Sequence, residues 1–306
     1  MPSVPDHTQQ HDRFPADDAR RRLLAGLPVT ERRLELAAID TAVLEGGEGP
    51  PLVLLHGSGE FAALWLRVVP DLVARYRVVV PDLPGHGASA VPPGPLDADR
   101  MLAWLGELLD ATCPAPPVVA GRGLGGAVAA RFAVDHGHRL AQLVLVGAFG
   151  LAPFAPAPSF GQAMARFAEE PTETTRDGLF RRCFTDLDGL AAQLGERWAA
   201  VGAYALDRAT TPAMRAAMAG LVPAFALPAI PAADLDRIPV PASLIWGRQD
   251  LQVPLAVAEA TSARHGWPLK VIDHAGDDPA LERPAAFLAA LEATLAAGVT
   301  AGGAVR

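Results

Sequence analysis

At 306 residues the chain exceeds the roughly 250 to 300 residues at which one hydrophobic core stops growing, so one domain with a large insertion is the natural expectation. Half of the residues are hydrophobic, yet no apolar run reaches the roughly 18 residues of a membrane helix, and the first residues lack an apolar leader stretch; a soluble, cytoplasmic protein is expected. A net charge of -8, with no basic cluster outside Arg20, Arg21 and Arg22, argues against nucleic acid and leaves a small molecule as the expected partner.

Residues 1–28 are polar and proline-bearing without periodicity and read as a flexible tail ending in a short amphipathic turn around ARRRLLAGL. Apolar runs bounded by Gly and Pro follow: RLELAAI, TAVLE, PLVLLHG, YRVVVPD, PVVAG, LAQLVLVG, ASLIWG and PLKVID. The later ones alternate with helical patterns such as ADRMLAWLGELLD and GAVAARFAVDHG. Short Val/Leu strands alternating with helices define an α/β protein whose mostly parallel sheet is covered on both faces. Residues 149–236 break the rhythm with Ala-, Arg- and Pro-rich helical segments between two strands, as an inserted helical cap would. The core then comprises 29–148 and 237–296, with a tail at 297–306. Cys113 and Cys183 lack the paired spacing of a disulfide framework or zinc site and read as ordinary thiols.

Five motifs occur in order: PLVLLHGSGEFAALW, YRVVVPDLPGHGAS, PVVAGRGLGGAVAARFA, ASLIWGRQDLQVP and VIDHAGDDPALERPAAF. Together, from about Glu31 to Leu295, they resemble the α/β-hydrolase superfamily. The resemblance implies a nucleophile on a glycine-framed strand-to-helix turn. Here that turn is Gly121-Arg122-Gly123-Leu124-Gly125, and Gly123 has no side chain with which to attack. No serine lies between Ser89 and Ser159 and no aspartate between Asp110 and Asp135, so no neighbour is available as a substitute. The resemblance places Asp277 at the histidine position and Asp250 at the acid position. It gives backbone oxyanion donors at Ser58 and Leu124, and makes His56 and His86 loop-fixing residues.

Two aspartates sharing a partly dry site cannot both ionise cheaply, so one is expected to hold a proton for general acid or base work. The alternative is a carboxylate that merely accepts hydrogen bonds or pairs with Arg122 or Arg248. Arg122 beside Gly123 suits a carboxylate, phenolate or enolate ligand, or equally a salt bridge to Asp250 or another carboxylate of the fold. Trp198 on the cap and His274 near the last strand are the expected substrate-lining side chains. Three functions follow in order of preference. The first is a non-hydrolytic, cofactor-independent enzyme catalysing cyclisation, carbon–carbon bond formation, elimination or isomerisation of a bulky hydrophobic molecule, in a polyketide-type secondary metabolism that the resemblance and the Ala-, Arg- and Pro-rich composition imply. The second is a catalytically inactive binding protein, and the third is hydrolysis by carboxylate-activated water. No motif calls for a metal, flavin or nucleotide, and no oligomeric state is specified.

Overall fold

The computed structural model of the protein describes residues 16–91 and 94–302, with 297–302 as backbone alone. Eight strands form one sheet: β1 (Thr30–Leu36), β2 (Ile39–Gly46), β3 (Pro51–Leu55), β4 (Arg77–Pro81), β5 (Val118–Arg122), β6 (Gln142–Val146), β7 (Ala242–Gly247) and β8 (Leu269–Ile272). Their spatial order is β1-β2-β4-β3-β5-β6-β7-β8. The β1/β2 and β2/β4 pairs are antiparallel and every later pair is parallel.

The helices in chain order are α1 (Ala16–Leu24), α2 (Val69–Leu72), α3 (Ala98–Thr112), α4 (Gly123–His136), α5 (Pro158–Glu169), α6 (Glu173–Cys183), α7 (Leu187–Leu194), α8 (Glu196–Thr210), α9 (Pro212–Leu221), α10 (Ala232–Leu235), α11 (Leu255–His265), α12 (Pro279–Glu282) and α13 (Pro284–Gly302). Helices α5 to α10 all fall between β6 and β7. No helix among the described residues is long and apolar enough to cross a membrane.

Alternation along the strands sorts the core into two layers. Val53, Leu55, Val79, Leu244 and Trp246 pack on one face with α3 and α4. Leu52, Leu54, Val78, Val80 and Ile245 pack on the other with Trp65, Phe287 and Leu291. Successive strand side chains point to opposite faces, so a wholly apolar run marks a strand covered twice. Burying each Leu or Val contributes about 1.5–3 kcal/mol, and each face carries many.

Residues 16–28 differ from the expected flexible tail. Residues 16–24 form α1, which packs with α8 in a third apolar cluster containing Leu23, Phe61 and Tyr204. Arg20 is the reason. Its guanidinium lies 2.8 Å from Asp82 and 3.1 Å from Glu31, and it donates to the Tyr204 hydroxyl at 3.2 Å. Asp82 is wholly buried after β4, and a buried carboxylate requires a partner, which the amphipathic turn supplies from a distance in sequence. Residues 1–15 and 303–306 lie outside the described residues, whereas 297–302 continue α13 where a tail was expected.

Candidate active site

The site gathers at the carboxyl ends of the parallel strands. β5 ends at Arg122 and the chain turns into α4 through Gly123, whose φ of +49° is left-handed and which an L-residue adopts only under strain. A Cβ built on Gly123 would lie 3.4 Å from Gly57 Cα, 3.7 Å from Gln252 Oε1 and 3.8 Å from Phe149 Cε2. The loop after β3 therefore faces this turn. It is fastened there by the Gly125 amide, which donates to the His56 carbonyl at 3.1 Å. Leu124 is buried in the first turn of α4, where helix amides lack intrahelical acceptors, and Ser58 is half-buried on the facing loop. His56 is fully buried; its Nε2 accepts from the Leu83 amide at 2.9 Å and its Nδ1 bonds the Gly57 carbonyl at 2.8 Å. Burial holds it well below its usual pKa, so it is neutral and fixes loops.

Asp250 follows β7. Its Oδ1 accepts from the amides of Gln252 and Val253, both at 2.8 Å, which sets the loop's curvature. Trp246 holds the same loop by donating to the Val253 carbonyl at 2.8 Å. The other oxygen, Oδ2, is buried without a hydrogen-bond partner and lies 3.1 Å from where a Cβ on Gly147 would stand. The same position is 3.5 Å from the Asp277 carbonyl, so the two acidic loops close over Gly147 and leave no room for a side chain there. Burial pushes the Asp250 carboxyl up to about 7 against the pull of its two amide donors and of Arg122.

Asp277 is buried between β8 and α12, with Oδ1 unpartnered. Burial raises its pKa well above the carboxylate range; Arg122 opposes this, and Asp250, Glu60 and Asp278 add to it. Asp250 and Asp277 are each 5 % exposed, and burial disfavours the ionised form of both.

Arg122 pairs with Glu60, lies 3.6 Å from Asp278, and donates to the Asp277 carbonyl at 3.0 Å. Burial alone would lower its pKa, but Asp278, Glu60 and Asp277 outweigh this and keep it charged. The salt bridge goes to fold carboxylates other than Asp250, because the side chain runs toward the loop after β3. Glu60 holds that loop too, accepting from the Gly57 amide at 2.7 Å, and burial raises its pKa.

Two expected substrate-lining side chains are placed elsewhere. Trp198 packs against Phe180 and Phe184, with ring centroids 5.6 and 5.5 Å away, inside the aromatic cluster of the inserted helices. His274 is exposed in a left-handed turn, and its backbone carbonyl accepts from Thr185 Oγ1 and Arg283.

Cys183, read as an ordinary thiol, is half-buried beside the Asp277 carboxyl, and its carbonyl accepts from the Asp277 amide at 3.1 Å. Burial raises the thiol well above its usual pKa, so it is a neutral neighbour and no thiolate. The same segment is stitched to the core through Glu282, which takes the Thr185 amide and hydroxyl, both at 2.7 Å, and the Gly276 amide at 2.5 Å. Glu60 and Cys183 were not singled out in sequence. A carboxylate within HGSGE, two motifs away from a buried arginine, was the available signal for Glu60; none existed for Cys183. Beside Gly123 a small apolar cavity of about 60 Å³ is lined by Phe149, Phe154, Val253, Val257 and the Gln252 side chain among others.

A glycine-framed elbow after β5, an acid after β7, a third site position after β8 and helices inserted between β6 and β7 together define a protein of the α/β-hydrolase type. The chain belongs to the Alpha/beta hydrolase family, whose description it matches over residues 52–291. Among curated relatives it is 34% identical over 217 residues to a pimeloyl-[acyl-carrier protein] methyl ester esterase of Chromobacterium violaceum, covering 68% of this chain and 79% of that one. It is 27% identical over 270 residues to a 2-hydroxy-6-oxo-6-(2'-aminophenyl)hexa-2,4-dienoic acid hydrolase of Metapseudomonas resinovorans, covering 84% and 88%. Among solved structures, 2-hydroxy-6-oxo-6-phenylhexa-2,4-dienoate hydrolase of a Rhodococcus species superposes with a TM-score of 0.75 at 26% identity, over 87% of this chain and 98% of that one.

Proposed function

We propose that the protein is a cofactor-independent enzyme that works by proton transfer and oxyanion stabilisation, without a covalent intermediate, its nucleophile and histidine positions being occupied by Gly123 and Asp277. One observation carries this reading: the residue on the elbow is a glycine, while Asp250 and Asp277 are buried together with an unpartnered oxygen on each. A carboxyl near pH 7 in its titration is matched to acid–base work at neutral pH. Arg122 acts by holding the loops of Glu60 and Asp277 in register, and the amides of Ser58 and Leu124 are the proposed donors to a developing oxyanion. The reaction class is cyclisation, carbon–carbon bond formation, elimination or isomerisation of a hydrophobic, enolisable substrate. Its proposed setting in polyketide-type secondary metabolism draws on the Ala-, Arg- and Pro-rich composition.

A second reading is favoured by the relatives, which are named as an esterase and a carbon–carbon bond hydrolase. In it, the ionised carboxylate of the Asp250–Asp277 pair activates water directly. The two readings share their residues and differ in whether water enters the product.

The test is metabolite profiling of the native host carrying the wild type, a clean deletion, or Asp277→Asn. Accumulation of one intermediate in both altered strains, with the variant folded and abundant, is the expected outcome. A profile disturbed only by the deletion would show that the carboxyl carries no chemistry and that the protein binds or carries its ligand.

A further inference from the structure

Gly123 has no side chain, and two side chains border the position where one would stand: a Cβ there would lie 3.7 Å from Gln252 Oε1 and 3.8 Å from Phe149 Cε2. The same two residues line the small cavity formed by the loops after β6 and β7, together with Phe154, Ala226, Val253 and Val257 among others. Apart from Gln252, every residue lining this cavity is apolar.

The backbone around Gln252 is fixed from several directions. Its amide and that of Val253 both donate to Asp250 Oδ1 at 2.8 Å, and the Val253 carbonyl accepts from Trp246 at 2.8 Å. The Leu251 carbonyl accepts from the Ala157 amide at 2.8 Å. The Phe149 wall is tied to the elbow itself, since the Phe149 amide donates to the Gly123 carbonyl at 3.0 Å. The half-buried Gln252 carboxamide, by contrast, has no hydrogen-bond partner among the described residues. A rigid backbone therefore carries an unused donor and acceptor to an otherwise apolar cavity. Ligand pockets are built in this way, with apolar walls supplying the area and a few polar groups fixing orientation.

We propose that Gln252 is a specificity-determining residue, reading an uncharged carbonyl or hydroxyl group of the substrate beside Gly123 while a short alkyl arm of that substrate fills the cavity. This rests on the reading above, which places the substrate at Gly123, and names the part of it that lies there. Size limits the arm. A volume of about 60 Å³ holds about four or five groups at about 10–15 Å³ each, a chain of about four carbons. Charge is excluded because an ion in this cavity gives up its hydration and meets no countercharge among the lining side chains. Carbonyl and hydroxyl are both served, because turning the terminal amide presents either Nε2 as donor or Oε1 as acceptor.

The probes are butyramide, butyrate and butylamine, titrated into the full-length protein at pH 7 and followed by the amide chemical shifts of Phe149, Ala226 and Val253. The expected result is that butyramide saturates and binds at least about tenfold more tightly than either charged probe. Gln252→Leu should weaken butyramide by about tenfold or more, because the polar group then enters without a partner. Gln252→Glu should reverse the selection and favour butylamine. Equal affinities for the three probes, tighter binding of a charged one, no saturable binding of butyramide, or unchanged binding in Gln252→Leu would overturn the inference. The comparison of the three probes needs no variant and decides the matter if a substitution fails to fold. Failure of these binding results alongside a positive metabolite test would refute the role of Gln252 and leave acid–base catalysis intact. Their success alongside a negative metabolite test would establish Gln252 as the reader of an uncharged ligand in a protein without catalysis.

Discussion

Arg122 Nη1 donates to the backbone carbonyl of Asp277 at 3.0 Å across 155 residues of sequence, while the other arm of the same guanidinium pairs with Glu60. One side chain at the end of β5 thereby holds the loops after β3 and after β8. Replacing it with methionine removes the cation that faces Glu60, Asp277 and Asp278. A buried ion pair broken on one side costs about 3–5 kcal/mol. Chemical denaturation of Arg122→Met should show a loss of this size, and Glu60→Gln, which retains an acceptor for the Gly57 amide, a smaller one. Equal stability of Arg122→Met and wild type would mean that the loops are held otherwise.

Asp250 makes the pH dependence of stability predictable in sign. Its folded-state pKa is raised from 3.8 to about 7, so the folded state binds more protons than the unfolded chain between these values. Its contribution is present at acid pH and is lost as pH rises through this window, by about 4 kcal/mol in total. Asp250→Asn removes the titration. The stability difference between variant and wild type should therefore move in the variant's favour from about pH 4 to about pH 7, measured by denaturant titration at each pH. A difference independent of pH would show that Asp250 titrates alike in both states.

Position 123 separates backbone strain from chemistry. A Cβ there meets nothing closer than 3.4 Å, but φ is +49°. Gly123→Ala should cost about 1–2 kcal/mol from left-handed strain alone. Gly123→Ser should bring no hydrolysis of p-nitrophenyl acetate beyond the parent rate, because an aspartate at position 277 is shorter than the imidazole it replaces and falls short of a serine hydroxyl at position 123. Gly123→Ser/Asp277→His should bring it, with a burst of p-nitrophenol from acylation. Activity in the serine single variant would show that the carboxyl pair suffices as a base.

Trp246 controls the curvature of the Asp250 loop through one hydrogen bond to the Val253 carbonyl. Trp246→Phe keeps most of the packing and leaves that carbonyl buried without its donor. A loss of about 1–3 kcal/mol is expected, together with faster amide exchange at Gln252 and Val253. Unchanged exchange at those two amides would place the loop's support elsewhere.

Arg20 tests whether α1 is part of the folded unit. Asp82 is fully buried and already accepts from the amides of Ala62 at 2.6 Å and Ala88 at 2.8 Å; Arg20 adds the compensating charge as an ion pair rather than an aligned hydrogen bond. Arg20→Ala should lower stability by about 3–5 kcal/mol and expose α1 to proteolysis. Cleavage of α1 at equal rates in variant and wild type would return it to the tail that its polar sequence suggests.

The sequence by itself determined the sheet, because Val- and Leu-rich runs such as PLVLL and RVVVP satisfy two apolar faces at once and the period of two assigns each residue to its layer. It also determined the absence of a side chain at 123 and the presence of carboxylates at 250 and 277, since these are matters of residue identity at motif positions. Only the tertiary structure decided where Arg122 spends its charge, because Glu60 on one loop and Asp277 and Asp278 on another, both remote in sequence, reach it, and no local pattern encodes that convergence. It likewise decided that Cys183 backs Asp277, that Trp198 fills a cluster of its own helices, and that His274 faces solvent. Burial and partner choice are properties of packed surfaces. A single residue's identity fixes what it can donate, accept or titrate, and only the surfaces brought around it fix which of these it does.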